Sequence, residues 1–297
     1  WSVTGVQTCA LPIWVELASA AVRTALELHR ATGDAAYRDA AVELGRVLMD
    51  SQCREAPAGW AALPLRGFFY DSMERRRSYR FAHRGHDEGP VVALVELCRA
   101  FPDHASAGAW RAAVRLHADY LKATAALTGA WRMPCAGIYG VDEGNAGFQA
   151  QVRQGIRLSD THYLRRFPVW GDLRGNSGIL LSQARALSAA ALLLKDRELA
   201  DLSWAQLEWH LGRNPFGQSL MYGVGHDFTP QYTAMSGDIT GGLPVGIQTR
   251  ENEDTPYWPA SNCYNYAEIW VHPSSRFLSV LADLESPEGR ALLDAGQ

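Results

Sequence analysis

The chain has 297 residues, of which 47% are apolar and 20% charged, and a net charge of −4. These proportions suit a globular protein with a sizeable core, and the charge leaves no basic footprint for nucleic acid or an anionic membrane surface. No apolar run reads as long enough to span a bilayer, and five scattered cysteines without a C-x-x-C pair form no disulfide framework.

The chain opens WSVTGVQTCALPIW, broken by Gly, Thr and Pro and unlike anything after it. It has no charged leader region and no long apolar core, so it is not a secretory signal. One back-translation of residues 3–13 resembles a sequencing adapter read in frame. Residues 1–13 are therefore expected to be a non-native segment, and residues 14–297 the C-terminal part of a single domain.

Helical periodicity runs through the rest, with no convincing alternating strand. A first helix is predicted over 14–30, ending at the Thr32-Gly33 break. Asp34 caps a second, with Tyr37, Ala41, Leu44 and Leu48 on one face. Pro90 sits in the first turn of a third, PVVALVELCRAF. A fourth carries Trp110, Val114, His117 and Leu121, and a fifth is ILLSQARALSAAALLL. A sixth holds Trp204, Leu207 and Leu211 and stops at Gly212. Pro273 opens the last, with Phe277, Leu278, Leu281 and Leu284 expected to face inward.

Short and long connections alternate. Few residues join helices one to two, three to four and five to six, whereas the connections over about 53–89, 128–176 and 213–272 are long. Short links make antiparallel hairpins, so the long connections gather at one end, where long loops are usually functional. The predicted fold is all-α: an incomplete toroid of antiparallel helical hairpins with long loops on one face.

The third long connection is richest in reactive side chains. It carries Asp227, Asp238, Glu251, Glu253, Asp254, Glu268, His226 and His272 among many Tyr and Trp. Carboxylates beside aromatics are the equipment of glycoside hydrolysis, one acid protonating the leaving oxygen while a partner activates water or attacks. Glu268 lies in YNYAEIWV, whose aromatic and aliphatic neighbours are expected to desolvate its carboxyl. The alternative is a buried structural glutamate at the start of the last helix.

Three stretches then resemble glycoside hydrolase family 9, the inverting cellulase-type enzymes on an (α/α)6 barrel. LEWHLGRNPFGQSLMYGVG is similar to that family's helix end and Asn-Pro loop, GGLPVGIQ to its Gly-rich segment, and YNYAEIWV to its Asn-Glu-Val stretch. The resemblance thins towards the N-terminus and starts at about Trp14. It implies that Glu268 is the general acid, with Tyr264 at the aromatic position four residues before it. It also implies an oligo- or polysaccharide substrate and a periplasmic or extracellular location; no cofactor is expected, and no metal, since His83, His86, Asp87 and Glu88 lack a further partner at zinc-ligand spacing. The chain departs from the family at Pro259, Trp270 and Ser274, reads PQYT where a His-x-Arg pair belongs, and contains no Asp-x-x-Asp to supply the base. About seven of twelve helices would be present, and this fragment alone is expected to be inactive and poorly soluble.

Weaker candidates complete the substrate-binding set. RRFPVWGDLRGNSG offers Trp170 and Arg174, and MYGVGHDF offers Tyr222, His226 and Asp227. Arg250, Tyr257 and Trp258 follow. AHRGHDEGP clusters His83, His86, Asp87 and Glu88, readable as sugar contacts or as ordinary acidic residues at a helix start. Two other classes stay open: another toroidal carbohydrate enzyme, a lyase or epimerase using His83, His86, His162 or His226 with Tyr, and a non-catalytic glycan-binding toroid.

Overall fold

A computed structural model describes residues 14–80, 87–169, 176–232, 237–247, 249–258 and 264–295, apart from the side chains of Tyr264 and Asn265. The chain is helix-rich, with a small sheet. Helix α1 (Val15–Thr32) ends at Gly33, whose φ of 71° is the left-handed conformation that closes a helix. Asp34 then caps α2 (Ala35–Asp50), its Oδ1 accepting from Ala36 N at 2.8 Å. Helix α3 (Gly89–Ala100) carries Pro90 in its first turn and pairs with α4 (Ala107–Ala125). A 3-10 turn follows at Ala126–Trp131.

Residues 137–165 hold what helical periodicity does not announce. Strands β1 (Gly137–Gly140), β2 (Ile156–Arg157) and β3 (His162–Arg165) form an antiparallel sheet ordered β1-β3-β2, with Gly137 opposite Arg165. The short α5 (Ala146–Val152), capped by Asn145, lies between β1 and β2. This sheet is an addition to the all-α reading.

Next come α6 (Ser177–Leu194) and α7 (Arg197–His210), the second capped by Asp196. By length and composition α6 could cross a membrane, contrary to the sequence-based reading, but 78% of it is buried against other helices. It is the central helix of the core. The one-turn α8 (Tyr264–Ala267) precedes α9 (Val271–Glu285), and Ser286 caps α10 (Pro287–Asp294), a helix absent from the sequence-based assignment.

The long helices thus form four hairpins, α1/α2, α3/α4, α6/α7 and α9/α10, each closed by a short link. In one row α1 packs on α3, α3 on α6 and α6 on α9; in the other, α2, α4, α7 and α10 follow each other. A cleft of about 480 Å³ is lined by α1, α3, α6 and α9 together, so the first row is concave. Helices α3 and α6 are buried on nearly all sides. The outer members of the row are not: Leu17 of α1 and Leu278 of α9 are each 64% exposed. Leu278 therefore does not face inward as its spacing suggested, whereas Phe277 and Leu284 do. Cys53, Cys98 and Cys135 are buried free thiols.

Each first-row helix after α1 is entered from a long connection, so the three connections meet at the N-terminal ends of α3, α6 and α9.

Candidate active site

Glu268 sits on a short stretch of extended chain just before α9. On one side Tyr232 bridges to it in parallel; on the other Pro244 bridges to Ile269 antiparallel. Val245 N donates to Glu268 O at 2.9 Å, Gly246 N to Tyr266 O at 3.0 Å and Trp270 N to Leu243 O at 3.1 Å. The Gly-rich stretch GGLPVGIQ supplies the flanking strand, and its glycines have a steric reason. Gly246 has φ +104°, and a Cβ there would lie 2.2 Å from Ser177 Oγ. Ser177 N in turn donates to Val245 O at 3.1 Å, which seats the strand on the first turn of α6.

The Glu268 carboxyl is half-buried, and its Oε2 accepts from the Trp270 indole Nε1 at 2.6 Å. Burial among apolar groups, the sequence-based expectation, is thus only partial, and one aromatic neighbour contributes a polar contact instead. Among the described residues no side chain hydrogen-bonds Oε1. Tyr266, in α8, lies two residues before Glu268, and Trp270 two residues after it at the end of the extended stretch. Tyr266 was absent from the sequence-based set, although it stands in the same aromatic stretch, YNYAEIWV, as Glu268.

Around Tyr266 the aromatic candidates gather. Its ring meets Tyr257 edge-on at 6.2 Å and Trp258 at 6.4 Å. The Arg250 guanidinium lies over the Tyr257 ring at 5.4 Å. Arg250, Tyr257 and Trp258 therefore belong to one cluster two residues from Glu268. Tyr222 joins the strand beside Glu268 from its far edge, through Tyr222 N to Gly242 O at 3.1 Å. Its hydroxyl is hydrogen-bonded to Asp238, which raises the phenol pKa. His226 and Asp227 lie in an exposed turn, where Asp227 Oδ1 accepts from Gln218 Nε2 at 3.0 Å. Trp170, Arg174, His83 and His86 lie outside the described residues, as does the Tyr264 side chain.

The second and third connections are clasped by a buried pair that sequence reading missed. Arg165, fully buried, reaches Asp254 at 3.4 Å and donates to Gln151 O at 2.7 Å and Glu253 O at 2.8 Å. Asp254 also accepts from the Phe167 and Arg166 amides at 3.0 and 3.1 Å. Burial still raises the Asp254 carboxyl and lowers Arg165, so desolvation outweighs the attraction between them. The pair fixes where the loops meet more than it adds stability.

At the entry to α3, Glu88 Oε1 pairs with Arg276 Nη2 of α9 at 2.8 Å, and its Oε2 accepts from Ser182 Oγ of α6 at 2.5 Å. Arg276 Nε donates back to Ser182 Oγ at 3.1 Å. Three first-row helices are thereby tied at their N-terminal ends. Beside them the Asp87 carboxyl is pushed up to about 7, by burial first and then by the Glu88 charge, and its buried Oδ1 has no hydrogen-bond partner. So Glu88 reaches across to α9, beyond a charge at its own helix terminus. His117 and His210 are buried, bonded to backbone carbonyls, and lowered to about 4 by desolvation. Among the described residues no three His, Cys, Asp or Glu side chains group as metal ligands.

Solved structures share this fold. The cellulase Cel9M of C. cellulolyticum matches with a TM-score of 0.50 and 17% identity, over 93% of this chain and 51% of its own. A family 9 glycoside hydrolase of Bacteroides ovatus matches at 0.53 and 16%, over 92% of this chain and 40% of its own. A zinc-binding triple mutant of the family 9 endoglucanase J30 matches at 0.52 and 18%, over 88% and 41%. The chain spans about half the length of these structures or less. No family model matches the chain, nor does any curated protein.

Proposed function

We propose that the chain carries the acid half of an inverting glycoside hydrolase site, acting on a β-linked glucan or a related polysaccharide. Glu268 is the general acid. The observation that carries this reading is its backbone, fixed by main-chain pairing on both sides, with the carboxyl held by one bond from Trp270 next to the Tyr257–Trp258–Tyr266 cluster. With Oε2 held by the indole, a proton on Oε1 points out for transfer to a glycosidic oxygen. The aromatic faces hold the apolar faces of sugars, and Arg250 and Tyr222 supply hydrogen bonds at the rim.

An inverting reaction also needs a base about 6.5–9.5 Å from the acid to activate water. Three carboxylates at the loop ends are already engaged, Asp254 with Arg165, Glu88 with Arg276 and Asp238 with Tyr222, and a fourth, Asp87, is buried beside Glu88. This supports a base contributed from outside this sequence, in line with its lack of Asp-x-x-Asp and with its partial span of the structures it resembles. The whole enzyme acts on exported or extracellular glycan.

The test is Glu268→Gln in a chain extended by a segment bearing Asp-x-x-Asp. General acid catalysis contributes about 10²–10⁴-fold, so unactivated oligosaccharides slow by that factor and aryl glycosides with good leaving groups by less. Equal loss on both substrates, or none, would overturn the assignment. So would hydrolysis by the 297-residue chain alone that mutation of one of its own carboxylates abolishes.

A further inference from the structure

A second cavity, of about 370 Å³, opens between the first and second long connections, away from the aromatic cluster beside Glu268. That size falls in the lower part of the range of small-ligand pockets, roughly 300–1,000 Å³. Its walls are tied together. The Ser78 hydroxyl donates to Ile138 O of β1 at 2.6 Å, and the Trp60 ring packs on Phe68 at 5.8 Å and on His162 of β3 at 5.5 Å. Tyr70, whose ring meets Phe68 edge-on at 5.2 Å, and His162 are both half-buried and line the cavity.

The charge in this cavity is unbalanced. Among the described residues Asp160 is the one carboxylate that lines it, and it is paired with Arg157, while Arg76 is paired with Glu74 at 2.9 Å. Arg75 has no carboxylate within ion-pair distance among the described residues. Its Nη2 donates to Asp50 O at 2.7 Å, which fixes the guanidinium at the rim and leaves its other donors uncommitted. Its backbone is left-handed, with φ 55°, at the tip of the turn between Asp71 and Arg77. Gly or Asn is the usual occupant of such a position. Here the turn presents an arginine, the side chain whose planar fork fits a carboxylate with two parallel hydrogen bonds.

We propose that this pocket binds the uronic-acid unit of an acidic glycan, with Arg75 on the carboxylate and Tyr70 and His162 against the sugar ring. The inference rests on the reading of the loop face as a glycan-binding surface, and it narrows the substrate to polysaccharides that carry acidic residues. Along the loop face, β3 connects the pocket to the Arg165–Asp254 clasp. At about 3.3 Å per residue, His162 and Arg165 are roughly 10 Å apart, so the pocket stands apart from that clasp as an outlying subsite.

Binding, not hydrolysis, is the readout, so the test stands even if the catalytic reading fails. The chain is titrated calorimetrically with a xylo-oligosaccharide bearing a glucuronic acid branch, with the same oligosaccharide lacking the branch, and with acetate. One charge-assisted bidentate contact should give the acidic oligosaccharide about tenfold tighter binding or more. Arg75→Asn, which suits the left-handed turn, should erase that preference while the chain stays folded, with a loss of stability no larger than that of the one hydrogen bond to Asp50 O, and Arg75→Lys should keep part of the preference. Trp258→Ala and Glu268→Gln should leave the preference intact. Equal binding of both oligosaccharides, absence of binding, or a preference that survives Arg75→Asn would overturn the proposal. Acetate competing as well as the oligosaccharide would reduce the pocket to a simple anion site. Loss of the preference in Trp258→Ala would move acid recognition to the Glu268 cluster.

Discussion

Glu88 and Glu268 stand at the same end of the helix rows and are held in opposite ways. Glu88 is gripped by side chains: one carboxylate oxygen on Arg276, the other on Ser182, with both partners on helices far away in sequence. Glu268 is positioned by its own backbone, paired on both edges, while its carboxyl keeps one polar contact and one face towards solvent. A carboxylate neutralised by an interior arginine is fixed in charge and place, which suits the joining of helices. One whose strand is fixed but whose tip is not can exchange a proton and meet a ligand. The contrast separates acids that build the site from an acid that works in it, although both types crowd the same loop ends.

The same chemical change at the two positions should therefore read differently. Glu88→Gln strips the counter-charge from a nearly buried arginine, and breaking such a pair by removing one partner costs about 3–5 kcal/mol. Urea unfolding should show that loss, and a change below about 1 kcal/mol would mean that the pair is solvated and the contrast false.

Next in size is Asp87, the buried neighbour of Glu88. Its folded pKa of about 7 is above the ordinary 3.8, so the folded state binds this proton more tightly. That contribution is fully present at low pH and is lost as pH rises towards 7. Asp87→Asn should match the wild type below about pH 4 and exceed it above pH 7, by up to about 4 kcal/mol at 1.36 kcal/mol per pK unit. His117 and His210 act with the opposite sign: their folded values near 4 remove stability as pH falls from 6.5. A melting curve for Asp87→Asn that parallels the wild type at every pH would show that the carboxyl is not buried as described.

Smaller effects belong to Glu268. Trp270→Phe removes one hydrogen bond and should cost about 1 kcal/mol of stability, measurable by thermal melting. Glu268→Gln keeps that bond and should change stability by no more than about 0.5 kcal/mol, the usual range for sites without a buried partner. A loss as large as that of Glu88→Gln would make Glu268 a structural residue.

The helices and their order were legible because their signals are local. Asp34 caps, Gly33 terminates and Pro90 opens, each within a turn of the residues it organises. The sheet was not legible. Its strands are two to four residues long, and β1 is buried throughout, so no alternation marks it. Helix α10 escaped for a similar reason, being eight residues long with one buried position. Of the site, the Arg250–Tyr257–Trp258 grouping was readable from density of aromatic residues in one loop. The Arg165–Asp254 and Glu88–Arg276 partnerships join residues far apart in sequence and left no local trace. Arg75 was hidden more deeply, since nothing in ERRRS says which arginine occupies the left-handed turn.

The concave row also has a mechanical meaning. Helices α1 and α9 face each other across the cleft without being packed together, so the curvature of the arc depends only on the wedge angles between successive hairpins. A closed hoop has a circumference that its last contact fixes; an open one has a span that each joint adjusts. The Glu88–Ser182–Arg276 knot stiffens the joints among α3, α6 and α9, and the exposed Arg23–Glu96 pair between α1 and α3 does so weakly. The end of the arc beside Glu268 therefore carries a buried side-chain tie, and the α1 end an exposed one.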